Sequence, residues 1–234
     1  LAASDNDRYN KPPVTIAFIG DSVTQGCFEI YKTGKSSLET VYEPNNAYSE
    51  KFRALLRTVF PRAQINVINA GISGDSAPRG LIRLRRDALS FSPDLLVVCY
   101  GLNDATVGED GLEPYENALR EIFAQAKKNG AEVIFMTPNM MCTRAKYDAD
   151  PYFAKLNASI CEYQISGIMD KYMDAARRAA IDGGVAVCDC YKKWKALAAA
   201  GANTTALLCN NVNHPTRDLH NLFAYSLFDT VLSD

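Results

Sequence analysis

Apolar and polar positions along the chain fall into two alternating kinds of segment. Short runs of consecutive aliphatic and β-branched residues occupy Val14 to Ile19, Ile65 to Ile68, Leu95 to Tyr100 and Glu132 to Met136, with a weaker run at Val185 to Cys188. Runs of this length without polar alternation predict strands buried on both faces. Helical patterns lie between and after them, at about Ala47 to Phe60, Pro78 to Ser90, Pro114 to Asn129, Pro151 to Ile181, Tyr191 to Ala200 and Thr216 to Leu232. Parallel neighbours need crossover helices that cover both faces of their sheet, so the alternation predicts a three-layer α/β/α sandwich around a five-stranded parallel sheet. Residues 1–234 show no repeat and no linker and read as one domain. The longest stretch without an element, Cys27 to Asn45, reads as an irregular loop, a candidate lid near the end of the first strand.

Ligands of such sheets bind at the carboxyl ends of the strands. Gly-Asp-Ser occurs twice near those ends, as Gly20-Asp-Ser22 and Gly74-Asp-Ser76. Ser22 lies where the first strand runs out, and on its own suits a nucleophile and a helix cap equally. Ser76 precedes Ala-Pro-Arg, a helix start, and reads as an N-cap.

A serine hydroxyl needs a base, and histidine is the usual one because it titrates near neutral pH. The chain has two histidines, His214 and His220. His214 precedes Pro215, which disfavours helix and places it in a loop that reaches the rim; His220 lies in the last helix and reads as a packed residue. Gly71 in Asn69-Ala-Gly71 and Asn103 in Gly101-Leu-Asn103-Asp104 end the second and third strands. Each alone reads as a turn or cap residue. Together beside Ser22 they are suitable donors to the anion formed when an acyl carbonyl is attacked.

Composition narrows the partners. Net charge is -2, which gives nucleic acid and anionic lipid no general attraction and leaves small neutral substrates. No apolar run reaches the roughly 20 residues of a membrane span, so no stable membrane insertion is expected. The seven cysteines include no CxxC pair; Cys188 and Cys190 share a strand face, but no further pair completes a zinc site, and all read as reduced thiols. Reduced thiols and the absence of a signal pattern point to the cytoplasm, while the start Leu-Ala-Ala-Ser-Asp, without an initiator Met, leaves a trimmed leader and secretion open.

Four blocks taken in order resemble the SGNH, or GDSL-type, esterase and lipase superfamily: Ile19-Gly-Asp-Ser22, Asn69-Ala-Gly71, Gly101-Leu-Asn103-Asp104 and Asn211-Val-Asn-His214-Pro. The resemblance implies the flavodoxin-like sandwich, Ser22 as nucleophile, His214 as general base, and an oxyanion hole of Gly71, Asn103 and the Ser22 amide, with no cofactor. It leaves Ser76 incidental and makes Asp21 and Asp104 structural rather than metal ligands. The family usually carries Asp three residues before the histidine; here Asn211 stands there. Three readings follow: His214 oriented by the Asn211 side chain or a loop carbonyl, an acid from elsewhere such as Asp218, or an impaired site. The first is preferred.

The expected activity is hydrolysis of short acyl esters, first of O-acetyl groups on carbohydrate. Polar residues Lys32, Lys35, Ser36, Ser37 and Glu39 after the first block, and the lack of an extended apolar surface helix, favour a short acyl chain. Lysophospholipid or thioester hydrolysis is the alternative, and a catalytically silent small-molecule-binding domain is the reading from another class. Asn139-Met-Met-Cys142 is a candidate pocket lining or plain core. Asp189 reads as a cap and Trp194 as a packing residue.

Overall fold

The computed structural model describes residues 1–34, 37–145 and 150–233. Its strands are β1 (Val14–Gly20), β2 (Cys27–Thr33), β3 (Ser37–Tyr42), β4 (Ile65–Gly71), β5 (Leu95–Cys99), β6 (Glu132–Met136) and β7 (Ala186–Cys188). The helices are α1 (Ala2–Asn6), α2 (Ser22–Gln25), α3 (Tyr48–Val59), α4 (Ala77–Asp87), α5 (Leu112–Lys128), α6 (Pro151–Ile165), α7 (Ile168–Asp182), α8 (Cys190–Ala199) and α9 (His220–Leu232).

Five strands form one parallel sheet in the order β4-β1-β5-β6-β7. Ala17, Phe18 and Ile19 of β1 are fully buried, as expected for a strand covered on both faces. Helix α3 packs on α9, while α5 packs between α4 and α7, giving the three layers. Tyr48, Phe52 and Leu56, four residues apart, form the buried stripe of α3, and the Phe18 ring meets Tyr48 and Phe52 edge-on. A single hydrophobic cluster runs from Ile16 to Leu227.

Strand β1 lies between β4 and β5, so the connections to its two neighbours diverge at its carboxyl end. That divergence opens a crevice, the usual ligand position in this topology. The last residue of β1, Gly20, is in register with Gly71 on one side and Cys99 on the other, so all three strand ends face the same rim.

Two expectations are corrected. The stretch Cys27 to Asn45 is not an irregular loop: β2 and β3 form an antiparallel hairpin, followed by a short 3-10 turn at Pro44–Asn46. Its polar tip hides the pattern, since Tyr31, Lys32 and Thr33 are exposed together; Lys35 and Ser36 lie outside the described residues. The helix expected over Pro151 to Ile181 is two helices, broken at Gly167, whose φ of +83° is left-handed and open to glycine at little cost.

Candidate active site

Ser22 opens the short helix α2, directly after Asp21. The Asp21 carboxylate accepts from the Val23 amide at 2.9 Å, and Gly26, with φ of +93°, ends the helix one turn later. Asp21 is 1% exposed; burial pushes its carboxyl up to about 7. The serine is therefore fixed at the crevice by a cap that is itself buried.

His214 reaches Ser22 from the loop before α9. Its Nε2 lies 2.9 Å from Ser22 Oγ, and its Nδ1 lies 2.6 Å from the main-chain oxygen of Phe28 on β2. A carbonyl only accepts, so Nδ1 carries the proton of the neutral ring, and Nε2 is left to accept from the serine hydroxyl. Burial lowers the His214 pKa, which keeps the ring neutral and available as a base; the Phe28 hydrogen bond and the Glu29 charge oppose that shift.

The loop is shaped by Asn210, whose Oδ1 accepts from the amides of Val212 at 3.0 Å and of Asn213 and His214 at 2.9 Å. Asn139 Nδ2 ties the Asn213 carbonyl at 2.8 Å. Asn211 occupies the left-handed turn of this loop, with φ of +54°, and its carbonyl accepts from Asn157 at 2.6 Å. Both ring nitrogens of His214 are engaged by Ser22 and Phe28. The group on Nδ1 is a main-chain carbonyl, but of Phe28 on strand β2 rather than of a loop, and the Asn211 side chain and exposed Asp218 hold neither nitrogen.

The two expected donor residues differ. Asn103 Nδ2 donates to the Asp75 carbonyl at 2.9 Å, and its second amide hydrogen remains available. The Gly71 amide, by contrast, already donates to Asn69 Oδ1 at 3.0 Å. What the chain requires at Gly71 is close approach: a Cβ there would stand 2.3 Å from the Gln25 amide nitrogen, so only glycine lets α2 lie against β4.

A second glycine, Gly74, lies three positions on and was not singled out by the sequence. Its amide has no hydrogen-bond partner among the described residues, and its φ is +75°. The segment around it is held on two sides: Ser73 N donates to Gln25 Oε1 on the nucleophile helix at 2.6 Å, and Asn103 holds Asp75. The stretch Asn69-Ala-Gly-Ile-Ser-Gly74 holds two glycines, and only backbone pairing separates them.

Ser76 occupies the N-cap position of α4, but its side chain makes no capping bond. Asp104 caps in its place, accepting from the Ala77 amide at 2.8 Å; burial pushes its carboxyl up to about 7. His220 is a packed residue: Nδ1 accepts from the Tyr48 amide at 3.1 Å, and burial drives its pKa down to about 3. Met140, Met141 and Cys142 are core. Asp189 caps α8 through the Lys192 amide at 3.0 Å, and Trp194 is fully buried. All seven thiols are free, with Cys188 and Cys190 sulfurs 3.8 Å apart. Among the described residues no three His, Cys, Asp or Glu side chains gather as a metal site, and no helix is long and apolar enough to cross a membrane.

Comparison with known proteins adds relatives and a family. An acetylxylan esterase of Geobacillus stearothermophilus is 30% identical over 132 residues, 53% of this chain and 58% of that protein. An uncharacterized lipoprotein, YqeF, of Bacillus subtilis (strain 168) is 27% identical over 81 residues, 32% of this chain and 33% of that protein. The matches thus span little more than half the length of the first of these relatives and a third of the second. Among solved structures, the acetylxylan esterase Axe2 of G. stearothermophilus superposes with a TM-score of 0.69 at 22% identity, covering 94% of this chain and 95% of that one. An α/β hydrolase from the metagenome of Lake Arreo, Spain, gives a TM-score of 0.68 at 22% identity over 93% and 94% of the two chains. These likenesses show the three-layer fold. The model of the GDSL-like lipase/acylhydrolase family matches residues 18–222, and the chain belongs to that family.

Proposed function

We propose that this chain is a serine ester hydrolase that removes short acyl groups, O-acetyl groups of carbohydrate foremost, through an acyl-enzyme on Ser22. The observation that carries the reading is the contact of 2.9 Å between Ser22 Oγ and a His214 Nε2 left unprotonated by the Phe28 carbonyl. His214 takes the serine proton as Oγ attacks the ester carbonyl. The imidazolium keeps its Nδ1–H bond to Phe28 and returns the other proton to the departing alcohol. Water, deprotonated by the same nitrogen, then releases the acid.

The tetrahedral anion forms beside three donors: the Ser22 amide at the first turn of α2, Asn103 Nδ2 and the unpaired Gly74 amide. Each donor of this type contributes about 10²–10³ in rate in comparable sites. Gly71 supports the site by packing. The continuous core is consistent with residues 1–234 working as one domain. Family membership and the acetylxylan esterase relative support acetylated carbohydrate as the substrate class.

Release of p-nitrophenol from acetyl, butyryl and octanoyl esters, and of acetate from acetylated xylo-oligosaccharide, tests the proposal with wild type and Ser22→Ala side by side. Acetyl-preferring turnover that disappears in Ser22→Ala is expected. Preference for octanoyl would favour lysophospholipid-like substrates, and absence of turnover on all of them would leave a binding domain.

A further inference from the structure

The esterase reading leaves His214 without a carboxylate, and the group that replaces it, the Phe28 carbonyl, sits on a weak support. Among the described residues, strands β2 and β3 pair with each other and with no other strand, and a two-stranded hairpin alone is marginally stable in water. The pairing is also irregular between Cys27 and Ile30, so Phe28 and Glu29 fall in a bulge where a carbonyl is free to turn out of the ladder. Something else must fix that oxygen to within a fraction of an ångström of Nδ1.

Arg217, three residues after His214, is placed to do so. Its Nη1 and Nη2 lie 2.7 and 2.9 Å from the two oxygens of Glu29, the residue next to Phe28. Its Nε and Nη2 lie 2.8 and 2.6 Å from the two oxygens of Glu43, where the returning leg leaves the hairpin. Its guanidinium carbon stands 4.4 Å from the centre of the Phe28 ring, and the same ring meets His220 at 5.0 Å. The Glu43 amide closes the hairpin base on the Gly26 carbonyl at 2.9 Å. One guanidinium therefore binds the histidine loop to both legs of the hairpin and to the ring of the residue whose carbonyl the imidazole uses.

We propose that Arg217, clasped by Glu29 and Glu43, is the positioning unit that stands in for the absent aspartate, holding the Phe28 carbonyl on His214 Nδ1 with the Glu29 carboxylate beside the imidazole. The inference rests on the esterase reading and deepens it. Half-exposed ion pairs add little to stability, so stability alone gives no reason for a double fork here. A planar guanidinium binds two carboxylates in fixed directions, which lysine cannot do. The two carboxylates are held ionised, Glu43 pushed down to about 2 and Glu29 lowered, in both cases first by the Arg217 hydrogen bonds. Two carboxylates against one guanidinium leave a net negative charge. The charged or titratable groups that act on the imidazole are Glu29 on the hairpin and, through their mutual repulsion, His220 on α9, which in turn feels Lys51 of α3 and Arg217.

The test uses the whole chain with Arg217→Met, Arg217→Lys and Glu29→Gln, and two readouts. The first is kcat and KM on p-nitrophenyl acetate. The second is the His214 imidazole by NMR in the resting protein, which needs no turnover; with only two histidines, and His220 protonating only near pH 3, its signals stand alone. Expected are a loss of kcat of about 100-fold in Arg217→Met with KM unchanged, as for a misplaced reacting group, and loss of its downfield Nδ1–H resonance. Arg217→Lys, charged but without the fork, should restore only part of the rate. Glu29→Gln keeps an acceptor for Arg217 but removes the charge, and should move the His214 titration to lower pH. Should Arg217→Met fail to fold, the other two variants carry the same comparison.

Wild-type kcat with an unaltered Nδ1–H resonance in Arg217→Met or Arg217→Lys would overturn the clamp. If wild type turns over no ester, the functional reading falls, while the resonance still decides whether Arg217 holds the Phe28 carbonyl.

Discussion

Removing the Arg83 guanidinium should damage this protein more than any single change on its surface. Arg83 of α4 and its partner Asp75 are 8% and 2% exposed, so their charges are out of reach of water. Nε and Nη2 of Arg83 lie 2.8 and 2.5 Å from Asp75 Oδ2, and Nη1 donates to the Ala70 carbonyl at 2.6 Å. Nη2 also reaches the Gly20 carbonyl at 3.1 Å and the Tyr100 hydroxyl at 2.9 Å. At an exposed position the loss of an ion pair is small. Here Arg83→Met fills the volume while leaving the Asp75 carboxylate buried, with the Tyr100 hydroxyl as its remaining side-chain hydrogen-bond donor and the exposed Arg79 Nε 3.8 Å away as the one weaker ion-pair partner among the described residues. Breaking a buried pair from one side costs about 3–5 kcal/mol. At roughly 2–4 °C per kcal/mol for a chain of this size, the melting temperature should fall by roughly 10 °C. Thermal unfolding followed by circular dichroism at neutral pH measures it. Adding Asp75→Asn to Arg83→Met removes the buried charge and should return part of the loss. A shift below about 2 °C, against the 3–5 kcal/mol expected for a broken buried pair, would refute the argument.

Three further outcomes follow from the site. Asn103→Ala removes one oxyanion donor and should lower kcat by about 10²–10³ with little change in KM, read from initial rates on p-nitrophenyl acetate. Asn211→Asp should leave kcat within about threefold of wild type, well short of the effect of a lost triad acid, because both His214 nitrogens are already engaged; a large gain would show that an acid at 211 reaches the ring. The pH dependence has a definite sign. The base is the neutral ring, and burial lowers its pKa, so kcat/KM should rise with pH and level off through an apparent pKa below the ordinary histidine value of about 6.5. A limb above 7 would contradict the buried, neutral base.

The sheet was legible because β1 and β5 are buried on both faces and so read as unbroken apolar runs. The hairpin was not, since a bulge and an exposed tip erase the alternation that marks a strand. Nor was the break between α6 and α7, where one glycine with left-handed φ decides the matter inside a long helical pattern. In the site, Ser22 and His214 were named by side chains whose chemistry is visible in the sequence. The partner of His214 Nδ1 is a backbone oxygen on a residue that is otherwise a core phenylalanine, and a carbonyl leaves no mark in a sequence. The choice between Gly71 and Gly74 turned likewise on which amide already has a partner.

The central claim is that Ser22, and not the second Gly-Asp-Ser at Ser76, is the activated nucleophile. The most direct measurement is labelling of the native protein with a fluorophosphonate, which phosphonylates activated serines, followed by peptide mapping in wild type and His214→Ala. The account predicts a single label on the peptide carrying Ser22 that is lost in His214→Ala; a label on Ser76, or one on Ser22 that persists without the imidazole, would contradict it.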